Sequence, residues 1–207
     1  MQSGFKQPVI LHHGAVNGVT GSCHEYQLAP GYAVLIDCGL FQGDEQGSGS
    51  KANLAINFPL AHIQALIVTH VHIDHVGRIP YLLAAGFTGP IFCSEASAHL
   101  LPLVLEDALK VGVTRDEQLI NGFLRTIARQ IVPCKFNAWL ELPAVNGISA
   151  HFRLQKAGHI LGSAYVEIKH LLNKRPFITV FSGDLGAPYS PLLPSPKPPY
   201  AADIVVI

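Results

Sequence analysis

The order of apolar and polar positions divides the chain near residue 135, mixed periods before it and a period of two after it. Val9 to His12 predicts a short strand, followed by a glycine-rich turn from Gly14 to Gly21. Two apolar runs, His24 to Leu28 and Tyr32 to Ile36, then join at Pro30-Gly31 as a hairpin. Gly39 to Ser50 is rich in glycine and poor in apolar residues, and it predicts a mobile surface loop beside Asp37. Ala65 to Thr69 predicts a strand, and Val76 to Ala85 a helix that Gly86 stops. Pro90 to Cys93 repeats the strand signal. Ser94 then caps an amphipathic helix over Glu95 to Val111, and a second helix covers Arg115 to Gln130.

From Lys135 onward, Phe136 to Leu142, Ile148 to Leu154, Ala164 to Lys169 and Phe177 to Phe181 all alternate as strands do. Six prolines between Pro188 and Pro199 force an extended crossing. The apolar run Asp203 to Ile207 then predicts a buried strand, and a chain that stops inside a strand reads as cut. Strands mixed with helices in this way indicate an α/β sandwich.

Composition narrows the picture. With 207 residues and 49% apolar content a substantial core is available. Fourteen basic residues balance fourteen acidic ones, which counts against a strong direct grip on nucleic-acid phosphates by this segment. Cys23, Cys38, Cys93 and Cys134 form no C-x-x-C pair and are expected to be reduced, buried thiols. Met1 to Pro8 has no apolar signal core and no stretch is long and apolar enough to span a membrane, so the expected compartment is the cytoplasm.

Eleven histidines against one Trp and one Met direct attention to where the imidazoles are grouped. Thr69-His70-Val71-His72-Ile73-Asp74-His75 places three histidines and a carboxylate within six positions at a predicted strand end. Residues two apart on a strand share a face, so His70 and His72 can meet one ion while Asp74 and His75 face a second. Imidazole nitrogen with carboxylate oxygen suits zinc, and two ions about 3.5 to 4 Å apart would activate water between them. The plain alternative is a polar turn whose histidines cap the next helix.

Further donors are offered by His159 in Gly158-His159-Ile160-Leu161-Gly162-Ser163 and by Asp184 in Ser182-Gly183-Asp184-Leu185-Gly186, although each alone would read as an ordinary turn residue. Asp37, at the end of an apolar strand, is assigned to accept a ligand histidine's N–H and fix its tautomer; the alternative is a solvated turn. His12, His13, His24, His62, His99, His151 and His170 are left out of the site. The charges around Lys169-His170 and Asn173-Lys174-Arg175 read as a solvated hairpin turn.

In this order the Asp37 motif, His70-x-His72-x-Asp74-His75, His159 and Asp184 resemble the metallo-β-lactamase superfamily. The flanking text is similar to its β-CASP branch of RNA-processing nucleases: Gly14-Ala15 to Ser22, Asp37-Cys38-Gly39-Leu40-Phe41-Gln42-Gly43, His75-Val76-Gly77-Arg78-Ile79-Pro80 and Ser182 to Gly186. The resemblance implies an αβ/βα sandwich, incomplete here, with residues 1–207 its N-terminal portion and the chain stopping before the β-CASP insertion.

It further implies zinc-dependent hydrolysis of RNA phosphodiester bonds, endonucleolytic and in some members exonucleolytic. His70, His72 and His159 would hold one zinc, Asp74 and His75 the other, and Asp184 both; Asp37, Asp74 and Asp184 would be the carboxylates active in catalysis. The family's acidic residue after the strand at Asp203 to Ile207, and its two later histidines, are not among these residues. The second zinc site is therefore expected to be under-coordinated and the segment alone inactive. The partner implied is RNA, with no membrane, and a homo-oligomer is compatible. A hydrolase of thioesters, lactones or phosphonates on the same fold, or a non-catalytic scaffold, are the competing readings.

Overall fold

Two β-sheets packed face to face, with helices on the outside of the first, arise from the alternation described above. The computed structural model describes residues 7–43 and 54–207, so the part of the expected loop at 44–50 lies outside the described residues. The first sheet contains β1 (Val9–His12), β2 (His24–Ala29), β3 (Tyr32–Ile36), β4 (Ile63–Ile67), β5 (Ile91–Ser94) and β6 (Ile131–Cys134), in that spatial order. β1, β2 and β3 are antiparallel, and β3 to β6 are parallel. The second sheet has the order β11-β10-β9-β8-β7, from β7 (Leu140–Glu141), β8 (Ala150–Lys156), β9 (Ala164–Leu172), β10 (Arg175–Phe181) and β11 (Ile204–Val206).

Alternate side chains of the two sheets fill the layer between them: Tyr26, Val34, Ile36, Ile67 and Phe92 meet Phe152, Leu154, Val166, Ile168 and Phe181. The opposite face of the first sheet, with Leu35, Leu66, Val68 and Ile91, packs against α1 (Ile73–Val76), α2 (Ile79–Ala84), α3 (Glu95–Gly112) and α4 (Glu117–Gln130) through Val76, Ile79, Leu82, Leu101, Leu105 and Ile127. Ser94 caps α3 by accepting from the Ser97 amide, and Asp116 caps α4. Among the described residues no helix is long and apolar enough to cross a membrane.

Several local expectations are corrected. The strand expected over Ala65 to Thr69 ends at Ile67, because the Thr69 amide donates to the Asp37 carboxylate instead of to a strand. The helix expected over Val76 to Ala85 is split into α1 and α2: the Asp74 carbonyl accepts from Ser22, and the Arg78 amide donates to Cys38 rather than four residues back. Phe136 to Leu142 forms a strand only at Leu140–Glu141, since Asn137 takes a left-handed φ of 65°. β6 was not anticipated; it lies at a sheet edge, where its Pro133 costs no central ladder bond.

Finally, β11 is an edge strand rather than a buried one, with Val205 50% exposed. Within the second sheet, His170 also departs from its expected solvated turn. It is buried on the inter-sheet side of β9, in step with Val166 and Ile168, while Asn173 and Lys174 alone make the left-handed turn. The four cysteines are buried and free, as expected.

Candidate metal centre

The chain leaves β4 at Ile67 and runs through Thr69-His70-Val71-His72 before entering α1. The departure is organised by Asp37, just past β3, which is 1% exposed and holds a φ of 60°. Its Oδ1 accepts the Thr69 amide at 2.8 Å, and its Oδ2 accepts the Thr69 hydroxyl at 2.8 Å and His75 Nδ1 at 2.7 Å. Burial pushes the Asp37 carboxyl up, but the positive charge and hydrogen bond of His75, with His70 and the Thr69 amide, outweigh it and hold the group below the usual range.

Proton counting then fixes two tautomers. With Asp37 as acceptor, His75 carries its proton on Nδ1 and turns Nε2 outward. Thr69 Oγ1 spends its hydrogen on Asp37 and so accepts from His70 Nδ1, 3.1 Å away, which leaves His70 Nε2 with a free lone pair. Burial, reinforced by His75, pushes His70 down to about 3. Burial also lowers His75, but Asp37 outweighs it and lifts the group to about 9.

The second sheet supplies the other donors from two turns. His159 follows β8 on a turn in which Ser163 Oγ accepts the amides of His159 at 3.0 Å and Ile160 at 3.2 Å. Asp184 follows β10 on Gly183-Asp184-Leu185-Gly186. The Gly186 amide donates to the Ala157 carbonyl at 2.8 Å, and a Cβ on Gly186 would overlap the Gly158 carbonyl, so the two turns lie backbone against backbone. The Ala164 amide donates to the Thr69 carbonyl at 2.8 Å, tying the second sheet to the histidine-bearing segment of the first.

Four donor atoms converge between the layers. His72 Nδ1 lies 3.1 Å from His70 Nε2 and 3.1 Å from His159 Nε2; Asp184 Oδ2 lies 3.4 Å from His159 Nε2 and 3.8 Å from His70 Nε2. Tetrahedral bonds of about 2.0–2.1 Å require donors roughly 3.3 Å apart, so this spacing and this N₃O donor set fit a zinc-sized divalent ion. Among the described residues His70, His72, His159 and Asp184 form the group of such donors lying within 4.8 Å of one another. The other carboxylate oxygen, Asp184 Oδ1, faces His75 Nε2 at 3.3 Å, and Asp74 Oδ2 stands 3.9 Å from that nitrogen. Asp184 thus turns one oxygen to each of two adjacent donor sets.

All six residues singled out as donors from the sequence therefore meet at one place, with Asp37 behind them. His70 and His72 converge beyond the strand rather than along it, so the expected proximity arises by a different route. Sequence reasoning missed Thr69, whose only signal was its position next to His70, and His24. His24 is pushed down to about 4, chiefly by burial, and with Ser22, Asp37, Thr69, His75 and Asp184 it lines a cavity of about 180 Å³ beside the centre. His13 and His62, also set aside, both bond the buried Glu25 at 2.8 and 2.7 Å, away from the donors.

Comparison with known proteins follows this geometry. The family described as the metallo-β-lactamase superfamily matches residues 16–204. The chain is 37% identical over 203 residues to Ribonuclease TTHA0252 of Thermus thermophilus, covering 95% of this chain and 42% of that protein. It is 32% identical over 184 residues to Transcription termination factor FttA of Methanothermobacter thermautotrophicus, covering 87% of this chain and 28% of that one. The chain thus spans less than half the length of these curated relatives. A solved metallo-β-lactamase of Cronobacter sakazakii shares the fold, with a TM-score of 0.51, 20% identity, and coverage of 90% of this chain and 62% of that one.

Proposed function

The chain belongs to the metallo-β-lactamase superfamily, and from that premise we propose that it is the metal-holding part of a β-CASP-type ribonuclease that hydrolyses RNA phosphodiester bonds. The observation that carries the chemistry is the split carboxylate of Asp184, one oxygen toward His70 and His159 and the other toward His75. What directs that chemistry to RNA is the likeness, over 95% of this chain, to a protein named a ribonuclease.

In this reading His70, His72 and His159 hold one zinc ion, Asp74 and His75 the other, and Asp184 both. Bound there, the ion pair supplies Lewis acidity toward a phosphoryl oxygen and acidifies a water toward a pKa of about 7. The protein's own part is orientation. Asp37 and Thr69 engage Nδ1 of His75 and His70, so that Nε2 of each ring is the nitrogen turned toward the centre, and the inter-sheet packing holds the donors of the two layers in register. An RNA substrate is in keeping with a cytoplasmic address and reduced cysteines.

Cleavage of an end-labelled RNA by the protein as its full gene encodes it, compared with His72→Ala, tests the proposal. RNA cut by the wild type and left intact by the variant is the expected result. Turnover of a small thioester or lactone with RNA untouched would defeat the nuclease reading, and a wild type without stoichiometric metal would favour a scaffold.

A further inference from the structure

We propose that Ser94 and Ser97 are positioning residues for His159, holding its turn against the first sheet's helix layer so that the imidazole reaches the other donors. The inference rests on the metal reading above. His159 sits on the β8–β9 turn, which belongs to the second sheet, whereas His70 and His72 follow a strand of the first. Its Nε2 must nevertheless lie 3.1 Å from His72 Nδ1. Something must therefore fix that turn relative to the opposite layer.

Beside the Ala164–Thr69 bond at the start of β9, a second link is made at Gly162, three residues beyond His159. The Gly162 carbonyl lies 2.6 Å from Ser94 Oγ and 3.2 Å from Ser97 Oγ, and these serines belong to the N-cap and first turn of α3. Ser94 has one hydroxyl proton, and the shorter bond places it on Gly162. Its lone pair receives the Ser97 amide at 3.2 Å, which is the cap. Ser97 Oγ lies 3.0 Å from Ser94 Oγ and 3.2 Å from the same carbonyl, so the two hydroxyls and the Gly162 carbonyl form one buried network. Both serines are buried, 1% and 0% exposed, so water does not compete for these bonds.

Two features tie this contact to His159 rather than to the helix. The oxygen that caps α3 belongs to Ser94, so the Ser97 hydroxyl is not itself the cap, and it stands within hydrogen-bond reach of both the Gly162 carbonyl and Ser94 Oγ. Gly162 takes a φ of +84°, and a Cβ on it would stand 2.8 Å from Ser94 Oγ and 2.9 Å from the Ser97 amide, so its backbone is pressed onto the helix start. From Gly162 back to His159 the turn is internally braced, because Ser163 Oγ holds the amides of His159 and Ile160. A shift at Gly162 is therefore passed to the imidazole.

The test is cobalt(II) titration of wild type, Ser97→Ala and Ser97→Thr, read by visible absorption and by competition with a chelator. Wild type should bind cobalt with the intense bands of a tetrahedral nitrogen–oxygen site. Ser97→Ala should bind about tenfold more weakly with altered bands while its metal-free fold, followed by circular dichroism, is kept; Ser97→Thr should restore both. Wild-type affinity and bands in Ser97→Ala would overturn the inference alone. So would an Ala variant that fails to fold, or a Thr variant as weak as Ala, since packing rather than the hydroxyl would then be responsible. A wild type that takes up no cobalt would overturn the metal reading and this inference with it.

Discussion

Asp37→Asn isolates the carboxylate that sets two imidazole tautomers. Asn is among the residues that tolerate a φ near +60°, so the backbone at this position is not disturbed by the exchange. One amide oxygen can keep the Thr69 amide. The other position becomes an NH₂ facing two donors, the Thr69 hydroxyl and His75 Nδ1, now 2.8 and 2.7 Å from Oδ2.

Two charge-assisted bonds of about 1.5–3 kcal/mol each are thereby removed. Part returns when Thr69 rotates and His75 moves its proton to Nε2, leaving a net loss of about 3 kcal/mol, or roughly 6–12 °C in Tm for a chain of this size. The relocated proton faces Asp184 Oδ1 and occupies the lone pair that an ion needs. Affinity on the His75 side should fall about 10–100-fold, equivalent to about 1.4–2.7 kcal/mol. Zinc competition with a chromophoric chelator measures this, with melting in excess chelator as the stability control. Unchanged affinity for both ions in a folded Asp37→Asn protein would refute the tautomer argument.

Two further outcomes follow from residues outside the donor set. His170 is buried with an unpartnered Nε2, and burial lowers its pKa against an opposing contribution from Asp203. Below an ordinary value of about 6.5 the unfolded chain takes up a proton that the folded chain refuses, so stability falls as pH drops toward the folded value. His170→Leu should therefore be more stable by about 1 kcal/mol at neutral pH, with an advantage that widens in mild acid; denaturant melts giving a pH-independent difference would contradict this. Arg78, buried beneath Phe41 with Nε 2.6 Å from the Gly39 carbonyl, cannot be replaced by the single ammonium of lysine. Arg78→Lys should lose about 2 kcal/mol and roughly 4–8 °C in Tm, and an unshifted melt would show that the guanidinium bonds contribute nothing.

The donors were legible because three imidazoles and a carboxylate in His70 to His75 exceed what a turn needs, and that cluster gave weight to His159 and Asp184, each of which alone reads as an ordinary turn residue. What could not be read was how they meet. Thr69 looks like a strand residue by period, yet its amide is claimed by a carboxylate 32 positions earlier. The helix from Val76 to Ala85 has the right apolar spacing and is still broken, because Ser22 and Cys38 take its backbone partners. His170 sits in a charged run that hides its alternation with Val166 and Ile168. In each case a partner distant in sequence outbids the local pattern, and local pattern is all that periodicity reports. The same holds for β11, whose apolar run resembles a central strand although it pairs at an edge.

The contact between Gly186 and Gly158 has a mechanical consequence. Because those backbones touch, His159 and Asp184 travel together, like the two teeth of one jaw, and the opposing jaw carries His70 and His72. Parting the layers withdraws both teeth at once. Chelation and the cohesion of the halves then draw on the same free energy, so the ion content of a preparation becomes a gauge of how firmly the two halves are closed.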